Sequence, residues 1–372
     1  MNWQNYKICE IGKLVTGKTP KTSVKEFYGG NIPFLTPSDD LDSKYSFKTK
    51  KYLTNEGMES VKSTLIPQNS ICVSCIGSDL GKVTITTKPT VTNQQINSII
   101  VNTDKFDIDF VYYCLKIVGK KINYISKTST AVPIINKTQF GQETIKCPSL
   151  KLQKVIGKIL SNIDNKILLN TQINKNLEQQ AFTLFRKMFP DITIKEKMIG
   201  DFIIPKRGKN LLSKNTSFGN IPVVAGGLEP STYHNVSNTK APVITISASG
   251  ANSGYVRLWN IPVWSSDSSF IDSSMTKDVY FWYVMLKKRQ KEIYDSQTGS
   301  AQPHIYPQHI AIMPINNIDP FSIDIFTNAV TPLFQKIGTN IKENESLTSI
   351  RDNLLPKLLS GELDVSSINL DI

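Results

Sequence analysis

Several things are scarce in this chain of 372 residues. It has five cysteines and three histidines. Thiols so few and scattered make no disulfide framework and suit a reducing cytosol. The longest apolar run, Val279 to Leu286, has eight residues, against about 20 for a membrane-spanning helix. The segment from Met1 to Lys13 holds no apolar core of signal-peptide length. A soluble, cytoplasmic protein with no membrane partner is the expectation. Acidic residues are in deficit: 31 Asp and Glu face 43 Lys and Arg, a formal charge of +12. That excess points to a polyanionic partner. The 40% of hydrophobic residues suffices for two modest cores, and the length predicts two domains at about 100–200 residues each.

Catalytic motifs are missing too. There is no GxSxG elbow, no HExxH and no HxE…PCxxC deaminase signature. Pro-Pro never occurs, which excludes the [DNS]PP[YFW] motif of amino-methyltransferases. The glycine-rich loop expected for a methyl-donor cofactor and a nuclease carboxylate cluster are absent as well. Neither enzyme activity nor a cofactor is expected of the chain itself. The run Gly12-Lys13-Leu14-Val15-Thr16-Gly17-Lys18-Thr19 matches GxxxxGK[ST], but a phosphate loop needs a helix whose first turn carries the Lys and Thr. Pro20 follows at once and Gly29-Gly30 soon after, so a Gly/Lys surface turn is predicted. Cys72-Val73-Ser74-Cys75 is a single CxxC, whereas structural zinc needs four ligands. Two thiols on a half-buried strand are predicted there.

What is present is a repeat. Gly30-Asn31-Ile32-Pro33-Phe34 recurs as Gly219-Asn220-Ile221-Pro222-Val223. Ser74-Cys75-Ile76-Gly77, leading to Gly81-Lys82-Val83, recurs as Ser247-Ala248-Ser249-Gly250, leading to Gly254-Tyr255-Val256, at an offset of 173. Phe110, Tyr112 and Tyr113 match Tyr280, Trp282 and Tyr283 at an offset of 170. Thr128 to Pro133 matches Thr298 to Pro303 at the same offset. Any two mixed domains share Gly/Pro turns, but chance does not keep order and spacing together. Strand-like alternation (Ser70 to Ile76, Val83 to Thr87, Val243 to Ser247, Tyr255 to Trp259) precedes a short amphipathic helix at Phe110 to Val118 or Val279 to Lys288.

Each copy then runs into a long helix. Leu152 to about Phe189 contains no proline and lies between Pro148-Ser149 and Pro190. Alternating 3/4 steps pick out Leu160, Ile163, Ile167, Asn170, Asn174, Leu177, Ala181, Leu184 and Met188. Adding 170 gives Val330, Leu333, Ile337, Asn340, Asn344, Leu347, Arg351, Leu354 and Leu358. Both sets make a coiled-coil seam. Pro332 is expected near the start of the second helix, and Pro356 where its regular part bends or ends. An antiparallel pair centred on the amides puts Asn170 opposite Asn344 and Asn174 opposite Asn340. It also sets Arg351 against Ile163, with its head reaching water. A slip would strand buried amides, so the four asparagines are expected to fix register. The alternative is a wet face beside a broader apolar stripe. The fold class expected is α+β: two similar mixed α/β domains joined by two long helices in an antiparallel coiled coil, with a pseudo-two-fold internal repeat.

Polar, Gly-rich loops supply the candidate binding residues: Lys18, Lys82, Asn93, Gln94, Gln95, Lys127, Thr128, Ser129 and Thr130 in the first copy, and Lys206, Arg207, Lys209, Arg257, Thr298, Ser300, Gln302 and His304 in the second. Asn and Gln suit adenine, Arg and Lys suit guanine, and Ser, Thr and Lys hold phosphates.

The order of elements resembles the specificity subunit of type I restriction–modification enzymes. The resemblance rests on Gly17-Lys18-Thr19-Pro20 with Ile32 to Asp39, on the paired turns at Thr128 to Pro133 and Thr298 to Pro303, and on two spacer segments. The spacers run from Cys147 through Ile167 and over Leu354 to Leu363. Ala131-Val132 departs from the family's Gln-Pro turn, and Gly208-Lys209-Asn210 lacks the following proline. The resemblance implies target-recognition domains at 1–147 and 191–314, a spacer helix at 148–190, and a second spacer helix with tail at 315–372. It implies double-stranded DNA as partner, read as a split site. Methyltransferase subunits, two of them, would dock on the spacers, and restriction/translocase subunits would complete the assembly. The chain would read DNA and catalyse nothing. A stand-alone two-domain DNA-binding regulator and a nucleotide-dependent enzyme built on Gly12–Thr19 remain the alternatives. A seam from Leu160 to Met188 measures about 42 Å at 1.5 Å per residue, which places half-sites about one DNA turn apart.

Overall fold

The computed structural model describes residues 3–77, 80–126, 134–190, 196–299 and 302–368. It divides into two compact units, residues 1–167 with 346–372, and residues 168–345.

The first unit is organised by a sheet of β1 (Gly12–Thr16), β2 (Tyr45–Ser46), β3 (Ile71–Ser74), β4 (Val83–Thr86) and β5 (Ile96–Val101). The order is β1-β5-β3-β4-β2. All pairs are antiparallel except the short β2, which runs parallel to β4. β3 and β4 are buried along their whole length, so the threonines and serine of their alternating pattern are buried along with the apolar residues. Helix α1 (Ile108–Ser126) carries Phe110, Val111 and Leu115 into the same core as Ile71, Val83 and Ile99. It outruns the expected Phe110–Val118 because Ile122 extends its apolar stripe. A smaller sheet centres on Tyr28–Leu35, flanked by Lys51–Leu53 antiparallel and Thr90–Thr92 parallel.

Helix α2 (Leu150–Met188) starts after Pro148. Gln153 is buried in its first turns: it accepts from the Asp107 N–H at 3.0 Å and donates to the Pro148 carbonyl at 2.9 Å. Further along, Ser161 accepts from the buried Lys44 ammonium at 2.6 Å, and Asp109 of α1 pairs with that ammonium at 2.7 Å. Sheet, α1 and the start of α2 are thus one body. Its core also takes Leu355, Leu358, Leu359 and Val365 from the other end of the chain, with Trp3 and Tyr6 packed against it.

The second unit repeats this plan. β6 (Lys206–Arg207), β7 (Val243–Ser247), β8 (Val256–Trp259) and β9 (Ser268–Asp272) take the order β6-β9-β7-β8. That is the order of β1, β5, β3 and β4. Ile221–Val224 again has an antiparallel neighbour, Thr232–His234, and a parallel one, Trp264–Ser265. Helix α3 (Val279–Lys288) is buried from Val279 to Leu286, which accounts for the long apolar run. An aromatic cluster of Phe185, Phe189, Phe281 and Phe326 holds α3 to the long helices.

Helix α4 spans Pro320–Ser360. Asp319 caps it through the Phe321 and Ser322 N–H groups at 3.2 Å, and Pro320 follows at the first helical position. Pro332 therefore lies inside the helix, not near its start, and Pro356 does not end it. An internal proline costs about 3 kcal/mol. Around Pro332, Ile323, Phe326, Val330 and Phe334 are all buried, each stabilising the helix by about 1.5–3 kcal/mol. Packing decides the outcome, and Leu355, Leu358 and Leu359 do the same beside Pro356. No helix among the described residues is long and apolar enough to cross a membrane.

Candidate nucleic-acid interface

The repeated sequence run builds a repeated turn. After β3, Gly77 and Gly81 have φ of 83° and 84°; after β7, Gly250 and Gly254 have 82° and 85°. The Gly81 N–H donates to the Ser74 carbonyl at 2.9 Å, and the Gly254 N–H to the Ser247 carbonyl at 2.7 Å. Positive φ is open to glycine at no steric cost, which is why the two runs keep glycine at matched positions. A later segment then docks on each turn. Ile135 N–H donates to the Cys75 carbonyl at 3.0 Å and Ile134 bridges Ile76. Ile305 N–H donates to the Ala248 carbonyl at 2.9 Å and His304 bridges Ser249. The duplicated Thr-Ser-Thr-Ala-Val-Pro and Thr-Gly-Ser-Ala-Gln-Pro runs lead into these docking segments. Lys127, Thr128, Ser129, Thr130 and Ser300 themselves lie outside the described residues.

In the first unit, Gly12 to Thr16 is strand β1, and no helix begins at Lys18 or Thr19. The Gly/Lys surface turn expected there is therefore a strand leading to a buried Gly17. A Cβ on Gly17 would lie 2.2 Å from the Asn93 carbonyl oxygen, so the backbone needs glycine to pass that close. Lys18 beside it is exposed. Thr19 donates to Gln94 at 2.7 Å, and Gln94 is exposed. Asn93 is nearly buried and gives its amide to the partly exposed Gln95 at 2.9 Å, so it shapes the turn. Lys82 reaches Asp42 at 2.8 Å. The structure thus brings Lys18, Thr19 and Gln94 to one end of the sheet, where Asn93 and Gln95 form the adjoining turn.

The CxxC thiols are buried, not half-buried, because β3 is a central strand covered on both faces. Burial pushes the Cys72 thiol up to about 12 and the Cys75 thiol up to about 11. Asn97 donates to the Cys75 sulfur at 3.1 Å.

In the second unit, Lys206 and Arg207 are exposed on β6. Arg207 pairs with Asp267 at 2.6 Å, and Asp267 also accepts from the Ser249 hydroxyl. Ser249 bridges to His304, whose ring lies parallel to Tyr306 at 5.9 Å. Arg207, Asp267, Ser249 and His304 therefore stand in one row. Gln302 is exposed at its end, and Thr298 exchanges backbone bonds with His304 at 2.8 and 3.1 Å. The Arg257 guanidinium lies 4.0 Å over the Trp259 ring and bonds the Leu228 carbonyl and Glu229. Lys209 is exposed, and its carbonyl accepts from Trp264 Nε1 at 2.8 Å. Such cationic and amide groups, held on a rigid sheet end, can grip phosphates and read base edges. Sequence reasoning missed Asp267, Ser249 and Tyr306, because no spacing pattern marks the partners that orient a candidate residue.

On the long helices, Asn170 donates to Asn344 at 2.9 Å and to Glu343 at 2.8 Å, while Asn340 donates to Asn174 at 2.8 Å. The two helices run antiparallel through these contacts. Asn170 and Asn340 are buried, and Asn340 Oδ1 has no partner among the described residues. In the first unit, Arg351 does not reach for water. It is mostly buried and pairs with Asp164 at 2.7 Å, and Tyr113 of α1 donates to the same carboxylate at 2.5 Å. Burial, together with that carboxylate, drives the Tyr113 hydroxyl far above its ordinary value.

Residues 1–179 match the family described as type I restriction modification DNA specificity domain. A type I restriction enzyme MjaIX specificity subunit from Methanocaldococcus jannaschii is 28% identical over 99% of this chain and 95% of its own length. The HindI specificity subunit of Haemophilus influenzae is 35% identical over 48% of this chain and 39% of its own length. In fold, the crystal structure of a type I S subunit from M. genitalium superposes with a TM-score of 0.61 at 22% identity, covering 98% of this chain and 97% of that one. Residues 1–179 are thus similar to a type I restriction modification DNA specificity domain, and the sheet plan of that region recurs in the second unit.

Proposed function

We propose that this chain is the DNA-reading subunit of a type I restriction–modification complex, with each recognition unit contacting one half of a split double-stranded site. The duplicated glycine turn with its docked segment carries the reading: the chain holds the same presenting device twice, with different side chains on it. Arg207, Gln302 and His304 serve the second copy, and Lys18, Lys82 and Gln94 the first. The long helices set the gap between half-sites, about one DNA turn. Leu169, Ile173 and Ile341 are exposed on them and offer an apolar contact for methyltransferase subunits, one for each recognition unit. Methyl transfer, and cleavage by restriction/translocase subunits, then fall to partner chains in the cytoplasm.

Salt tests the DNA contact. If about six phosphates are neutralised, log K falls against log salt with a slope near −5. Filter binding of the full chain, with and without its methyltransferase partner, reads that slope. A salt-insensitive complex, or full specificity in a fragment ending at Phe189, refutes the proposal.

A further inference from the structure

Phe218 is fully exposed to solvent, yet the loop carrying it is tightly held. A Cβ on the following Gly219 would lie 2.3 Å from the His234 carbonyl oxygen and 2.4 Å from Asn235 Cα, so this backbone is pressed onto the strand Thr232–His234. The Ser217 N–H donates to His234 Nδ1 at 3.0 Å. The His234 ring stands edge-on to Trp264 at 5.3 Å, and Trp264 Nε1 donates to the Lys209 carbonyl at 2.8 Å. A bracket of the buried His234 and the half-buried Trp264 therefore ties the base of Phe218 to the backbone of an exposed lysine. Lys206 and Arg207 lie just before that lysine, and the exposed Lys214 precedes the loop.

We propose that Phe218 inserts as an apolar wedge at a base step of DNA held by the second unit, an inference that rests on the DNA-reading function above. A wedge needs two things: cations that grip the phosphates, and a rigidly presented apolar side chain that replaces base–base contact when a step opens. Both are present here and joined through Trp264 and His234. The exposed cations at Lys206, Arg207, Lys209 and Lys214, on the stretch that leads into this loop, favour a polyanion over an apolar protein face. The first copy has no counterpart. Aligning Gly30-Asn31 with Gly219-Asn220 puts Gly29 at the place of Phe218, and the matched strand pairing puts Val91 at the place of Trp264. The wedge belongs to one half-site only.

The test uses the full chain and a duplex selected by it from a random pool, then rebuilt with 2-aminopurine at successive positions. Wild type should raise fluorescence at one step, in one half-site. F218A should bind about ten-fold more weakly, with the salt slope and melting temperature unchanged and the fluorescence rise gone. F218L should keep most of the affinity. Selective binding by wild type without any fluorescence rise, or F218A binding as tightly as wild type, overturns the wedge while leaving DNA reading intact. Loss of methyltransferase capture by F218A with DNA affinity unchanged assigns Phe218 to a protein contact and overturns it too. Failure of wild type to select any duplex overturns both readings.

Discussion

Asp164 shows how a single residue joins three elements. Its carboxylate receives Tyr113 from α1 at 2.5 Å and Arg351 from α4 at 2.7 Å, and it stands on α2. The 3/4 spacing exposed Arg351 as the odd member of its seam but could not supply its partner, because Asp164 lies one position off the seam. The pairing is readable only once the helices are placed. Removing one member of a buried pair leaves the other charge unpaired, at about 3–5 kcal/mol; Arg351 keeps Asp352 at 2.9 Å, so about 2 kcal/mol is expected for Asp164→Asn. Combining Asp164→Asn with Arg351→Leu should restore most of that loss: the amide still accepts from Tyr113, and leucine completes the apolar seam. Urea unfolding followed through the first unit checks both steps. A double variant weaker than the single one would show that the ion pair itself stabilises the unit.

The glycine turn is the element that the sequence announced most clearly, and its two copies differ in a way the sequence did not announce. Alanine at Gly81 or Gly254 must adopt positive φ, at about 1–2 kcal/mol. The space differs. A Cβ on Gly81 would lie 2.2 Å from the Gly119 carbonyl oxygen, backbone of α1. On Gly254 the nearest atom is Ile293 Cγ2 at 2.9 Å, the end of a side chain that can turn away. Gly81→Ala should therefore destabilise its unit clearly more than Gly254→Ala destabilises the other, and thermal melts of the two variants compare them directly. Equal losses would mean that α1 yields as easily as an isoleucine rotamer. The long helices were legible for the same reason as the turn: a pattern repeats. The start of α4 was not, because Asp319-Pro320 precedes the expected seam by several turns and the early helix is set by Phe326 and Phe334 against α3.

At the scale of the whole molecule, the proposed reading rests on the repeat, and exchanging one copy tests it. Each unit has its own sheet and its own core, so a reader can be replaced without dismantling the other. The structure chooses the junctions. The strand Lys197–Met198 pairs with Pro314–Ile315, so the cut after residue 314 expected from sequence would separate the buried Ile315 from its partner Lys197. Junctions at 190 and 319 keep the pair whole. The incoming domain must offer an aromatic face like that of Phe281, because Phe185, Phe189 and Phe326 stay behind on the helices. A chimera meeting that condition should melt close to the parent chain. In a host carrying the matching methyltransferase, methylation mapping should then show one half-site replaced and the other unchanged. The gap between them should be kept, since both long helices are retained. Replacement of both halves would refute independent reading. Unchanged methylation by a folded chimera would show that specificity does not reside in the loops of the second unit.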